Sequence, residues 1–145
     1  MTAAVARVDA LPPGFPVLRD AALAEGWRML RVLEEDWDAG AMRFAAPGEA
    51  LFAAWRGGAL AGIGGLTVDP YAEAETIGRL RRLYVAPPHR GRGLGRALVE
   101  AMLAHAAAHG FRSVRVRAPP AAGRFYEACG LLPAVLRSAT HMRPL

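Results

Sequence analysis

From Arg90 to Arg96 the chain reads Arg-Gly-Arg-Gly-Leu-Gly-Arg, and the residues after it have the apolar spacing of an amphipathic helix. A helix N-terminus carries backbone N–H groups that lack acceptors, and the positive end of the helix dipole lies there too. Residues without β-carbons let an anion approach those N–H groups. Gly91, Gly93 and Gly95 supply that clearance, and Arg90, Arg92 and Arg96 add positive charge. The chemistry implied is the holding of a phosphate or pyrophosphate. An ATP-type loop needs a Gly-Lys-Ser/Thr ending, and the chain has no lysine. A dinucleotide fingerprint needs a third small residue where Arg96 or, one register on, Leu98 stands.

The elements that must position this junction follow from periodicity. Leu23, Trp27, Leu30, Leu33 and Trp37 recur at helical spacing and predict one helix from Asp20 to Trp37, with a short second one over Asp38 to Phe44. Gly57-Gly58 between two apolar runs predicts a hairpin. Thr76 to Ala86 predicts a third strand in this block. Leu83 and Val85 share one parity there and Leu80 has the other, so either a bulge lies at Arg81-Arg82 or the strand is buried on both faces. Leu94, Ala97, Leu98, Ala101, Met102 and His105 form one helical face, which makes His105 and His109 helix-edge and helix-end residues rather than metal ligands. The Val-Arg alternation of Ser113 to Ala118 predicts a strand with one wet face. Pro119 to Gly130 predicts a helix, Leu136 to Met142 a last strand, and Val5 to Val8 an optional first one. Hairpins followed by a strand-helix-strand unit indicate an α+β, mixed-sheet domain.

Composition bounds the rest. The 145 residues are enough for one domain, 1–145, with a core of its own. Cys129 is the sole cysteine, so there is no internal disulfide and no cysteine-based zinc cage. The start of the chain lacks a signal-peptide core and no stretch is apolar enough to span a bilayer, so a cytoplasmic location away from the membrane is expected. The net charge of +5 comes from 18 basic and 13 acidic residues, and every one of the 18 is arginine. A nucleic-acid-binding module is the rival that this basic surface raises. The aromatics do not interleave with the arginines as a base-stacking platform requires, so no nucleic-acid partner is expected.

Arg90, Gly93 and Gly95 fill the pattern Arg-x-x-Gly-x-Gly after a strand ending Leu83-Tyr84-Val85, and Phe-Tyr-Glu-Ala-Cys-Gly follows from Phe125. From Glu49 to Pro133 the chain thereby resembles the Gcn5-related N-acetyltransferase (GNAT) family. The resemblance implies a mostly antiparallel sheet splayed between two parallel strands and flanked by helices. It implies acetyl-coenzyme A as co-substrate with no metal, and direct attack by a primary amine of a small molecule or amino acid through a tetrahedral intermediate. Carried over, Leu83, Tyr84 and Val85 line the pantetheine arm. Gly91, Arg92, Gly93, Leu94, Gly95 and Arg96, with Arg90, hold the pyrophosphate. Tyr126 is the general acid for the departing thiolate.

Two positions depart from the family pattern. Arg79 stands where many members carry a glutamate base, which leaves Glu73, Glu75, Asp69, His141 or water to take the amine proton. Pro119 stands where an asparagine is frequent. The loss of the glutamate raises a second rival, a non-catalytic acyl-coenzyme A sensor. Glu34, Glu35, Asp36 and Asp38 beside Trp37 suit a cationic acceptor, whereas an inward Arg79 suits one bearing a carboxylate. A homodimer paired through the C-terminal strand is the expected assembly.

Overall fold

The computed structural model describes residues 2–145. Seven strands form one sheet in the order β1-β2-β3-β4-β5-β7-β6. They are β1 (Ala3–Val8), β2 (Ala50–Arg56), β3 (Ala59–Val68), β4 (Ile77–Val85), β5 (Ser113–Val116), β6 (Leu132–Leu136) and β7 (Ala139–Pro144). Every neighbouring pair is antiparallel except β4 and β5. Helices α1 (Phe15–Ala24) and α2 (Met29–Asp38) cover one face, while α3 (Leu94–Ala108) covers the other; α4 (Gly123–Ala128) precedes β6. Among the described residues no helix is long and apolar enough to cross a membrane.

The single helix predicted over Asp20 to Trp37 is two. Gly26 sits at φ 87° and its amide bonds the Leu23 carbonyl, while Trp27 N–H bonds the Ala22 carbonyl, so α1 closes on a left-handed residue although the apolar spacing runs on. The helix predicted over Asp38 to Phe44 is a turn, with Gly40 and Phe44 at φ 71° and 52°. The C-terminal strand predicted from Leu136 is the hairpin β6–β7, turned at Arg137-Ser138 with Ser138 at φ 55°. The wet face predicted for β5 is also corrected, because Arg115 is buried there and bonded to Glu73.

Two cores sandwich the sheet. Leu66, Leu80, Leu98, Met102, Val114 and Val116 fill the α3 side, and Leu18, Leu30, Leu33, Leu51, Ile63 and Tyr84 fill the α1–α2 side. Leu80 and Leu83 both face α3 despite opposite parity. The bulge explains this: Gly65 pairs with Arg81 and Ile63 with Tyr84, so two β4 residues oppose Gly64, and Arg82 takes φ 59°.

Close packing also dictates glycine at Gly65, where a β-carbon would lie 2.3 Å from the Phe44 ring. Gly65→Ala is expected to cost about 1–3 kcal/mol through overpacking, read as a Tm lower by several degrees in thermal unfolding. An unchanged Tm would show that Phe44 swings clear.

Candidate active site

The parallel pair β4–β5 holds together only from Ile77–Ser113 to Arg79–Arg115. Beyond Arg79 the strands part, and the β4 edge from Leu80 to Val85 has no strand partner on that side. A cleft of about 820 Å³ opens there. Leu83, Tyr84 and Val85 line one wall, and Val116, Pro119, Ala122, Phe125 and Tyr126 line the other. The exit of β5 is pinned by Thr140, whose hydroxyl oxygen accepts the Ala118 N–H at 2.9 Å. Pro119, which has no N–H to offer, therefore leaves the strand end anchored one residue earlier.

At one end of the cleft the glycine-arginine run opens α3. Gly91 and Gly93 hold φ 73° and 81°, a conformation that L side chains resist, and a β-carbon at either would meet open space. Among the described residues no backbone N–H from Gly91 to Arg96 has a protein acceptor; the first that does is Ala97, bonded to Gly93 O at 3.0 Å. A row of unpaired amides beneath open space fits a pyrophosphate. Gly95 differs from the other two. A β-carbon there would lie 3.2 Å from the Phe125 ring, so its smallness lets α3 pack against α4 rather than clearing room for an anion.

The arginines divide in the same way. Arg90 donates to Val85 O at 2.9 Å and grips Glu25 through both terminal nitrogens at 2.9 and 2.6 Å. Its charge is thus largely neutralised, and it acts as a strut that shapes the loop. Glu25 also accepts from Tyr84 Oη at 2.5 Å; Arg90 first and Tyr84 second hold its carboxyl below the usual carboxylate range. Burial, then Glu25, pushes the Tyr84 phenol up to about 12. The Tyr84 side chain therefore belongs to the α1–α2 core. Arg96 pairs with Glu100 one helical turn on. Arg92 is exposed, unpaired among the described residues, and outside the cleft wall.

Tyr126 is 6% exposed and forms part of the wall, stacked edge-on against Phe125 at 5.1 Å. Burial, with a smaller push from Cys129, raises its phenol well above the ordinary tyrosine value. Burial therefore favours the neutral O–H.

The four side chains considered as bases lie elsewhere. Asp69 is buried, accepts the Tyr71 N–H at 3.0 Å and faces Arg79 at 3.7 Å. Glu73 binds Arg115, and Glu75 is exposed in the same β3–β4 loop. His141 has both ring nitrogens engaged, at 2.8 Å from Thr140 Oγ1 and 3.0 Å from Glu127 Oε2. None of the four lines the cleft. Of the acidic run on α2, Glu34 is committed to Arg19 and Glu35 to Arg31, while Asp36 lies 3.9 Å from Arg82, beyond hydrogen-bond reach.

Sequence reasoning missed several wall residues: Trp27 from the α1–α2 connection, Met29 at the start of α2, Tyr71, Ser138, Arg81, Arg82 and Arg117. It also missed Glu25, whose partners lie 59 and 65 residues away. No local signal marks such a contact.

A model of the acetyltransferase (GNAT) family matches residues 15–131. No curated protein matches the chain. Among solved structures it is similar to a protein of Exiguobacterium sp. 255-15 assigned as an acetyltransferase, with TM-score 0.88, 23% identity, and coverage of 99% of this chain and 94% of that one. It is also similar to a phosphinothricin acetyltransferase of Sinorhizobium meliloti in complex with AcCoA, with TM-score 0.76, 19% identity, and coverage of 100% and 89%. A third is glucosamine-6-phosphate N-acetyltransferase of Arabidopsis thaliana, with TM-score 0.68, 17% identity, and coverage of 94% and 96%.

Proposed function

Because the chain belongs to the acetyltransferase (GNAT) family, we propose that it moves the acetyl group of acetyl-coenzyme A onto a primary amine of a small molecule or amino acid. The observation that carries this reading is the row of unpaired amides from Gly91 to Arg96 at the mouth of the gap between β4 and β5. When bound, acetyl-coenzyme A supplies an activated thioester.

The chain's own groups do the rest. The amides of the α3 N-terminus hold the pyrophosphate, with Leu94 packed beneath them in the core. Backbone N–H groups of Leu83 to Val85 face the negative charge that develops on the carbonyl oxygen, a contribution that often dominates acyl transfer. The C–N bond forms first, and the C–S bond breaks as the charged carbonyl oxygen regains its double bond. Tyr126 gives its proton to the leaving sulfur and regains one from solvent, and water in the cleft takes the proton that the amine loses. Water is assigned this step because no aspartate or glutamate lines the cleft among the described residues.

Mixing the protein with acetyl-coenzyme A and a panel of primary amines tests the reading. Amine-dependent thiol release is expected. Coenzyme binding by calorimetry without thiol release would point to a sensor, and binding only to DNA, with a steep salt dependence, would overturn the reading altogether.

A further inference from the structure

Six arginines line the cleft. Arg90 and Arg96 lie at the phosphate end, each paired with a glutamate. Arg79, Arg81 and Arg82 lie on β4 ahead of Leu83, and Arg117 follows β5. Arg79 and Arg115 are register partners. Val116 packs toward α3, so Arg117 projects from the opposite face, the one that carries Arg79 and Arg81.

The counter-charges at this end are few and poorly placed. Asp69 Oδ1 is 3.7 Å from Arg79 Nη1, too far for a hydrogen bond, and Asp36 Oδ2 is 3.9 Å from Arg82 Nη2. Arg81 and Arg117 form no ion pair among the described residues. Arg79 is 8% exposed, its Nη1 has no hydrogen-bond partner, and its guanidinium is held over the Tyr71 ring at 5.0 Å. A buried guanidinium without full hydrogen bonding is costly, and one wall crowded with like charge adds repulsion. A bound oxyanion relieves both, and guanidinium forks match carboxylate and phosphate oxygens two at a time.

The coenzyme does not account for this charge, since its pyrophosphate is assigned to the opposite end, past Val85. Resting on the transferase reading above, we infer that the acceptor amine carries a carboxylate or phosphate group, held by Arg79, Arg81, Arg82 and Arg117. The same field disfavours a protonated amine and so assists its loss of a proton to water, in a cleft without a carboxylate base.

The test compares matched acceptors per unit of free amine, β-alanine against its amide and O-phosphoethanolamine against ethanolamine. Thiol release gives kcat/KM, and calorimetry gives acetyl-coenzyme A affinity. The anionic member of at least one pair is expected to be favoured about 10- to 10²-fold, and which pair shows the preference identifies carboxylate or phosphate. Arg81→Met and Arg117→Met, which avoid the buried Arg79, are expected to erase that preference by raising KM for the anionic amine while coenzyme affinity holds. Equal or better use of the neutral amines, turnover of acidic peptides alone, or turnover of no anionic amine by a protein that still binds coenzyme would overturn the inference and leave coenzyme binding standing. Loss of coenzyme binding in the unaltered protein would instead overturn the reading on which it rests.

Discussion

Tyr126→Phe is expected to lower kcat by about 10²–10⁴-fold while leaving acetyl-coenzyme A affinity and Tm unchanged. The substitution keeps the ring that stacks on Phe125 at 5.1 Å and removes only the hydroxyl facing the cleft. The lower end of the range is expected with a good leaving group, because a thiol of pKa near ~8.5 departs with modest help. The pH profile carries the sharper signature. Burial raises the Tyr126 phenol, so the acid form persists as pH climbs through the ordinary tyrosine range. In the unaltered enzyme kcat/KM should therefore rise with pH until the amine is free base, near pH ~10 for an ordinary amine, with no earlier alkaline fall. Unchanged kcat in the phenylalanine variant at every pH would remove the general-acid role.

Gly93→Val should weaken acetyl-coenzyme A binding by about 10²–10³-fold. Gly93 caps α3 at φ 81°, where a β-branched residue is strained by about 1–2 kcal/mol. If the loop keeps its shape, the isopropyl group stands in the space above the unpaired amides. If it relaxes, those amides turn away and charge-assisted contacts of about 1.5–3 kcal/mol each are lost. Calorimetry reads the affinity. The matched control is Gly95→Ala, whose new methyl presses on the Phe125 ring, so its effect should appear chiefly in Tm. A Gly93 variant that binds normally would show that the phosphates sit elsewhere.

How far the chain could be read in advance varied with the range of the interactions concerned. The glycine-arginine run, the hairpin at Gly57-Gly58 and helix α3 were visible, and the bulge near Arg82 was one of two readings of a break in parity, because each depends on residues close in sequence. The division of α1 from α2 was missed although Gly26 stood in plain view. Its neighbours Leu23 and Trp27 keep helical spacing across the break, and spacing alone does not reveal that one glycine has turned left-handed. The β6–β7 hairpin was missed for a similar reason, since its turn holds Ser138 at positive φ where a glycine or asparagine would have marked it.

The candidate site divides along the same line. The proposed donor was legible from Arg90 to Arg96, since a candidate phosphate cradle is a contiguous piece of backbone. What each arginine does was not. Arg90 turned out to be engaged by Glu25 and Arg115 by Glu73, while Arg79, Arg81, Arg82 and Arg117 were left to face the cleft with two distant carboxylates between them. In sequence these are equivalent cations. Their roles depend on which acidic side chain the tertiary fold brings within reach, and electrostatic pairing acts through space over a few ångströms regardless of separation along the chain.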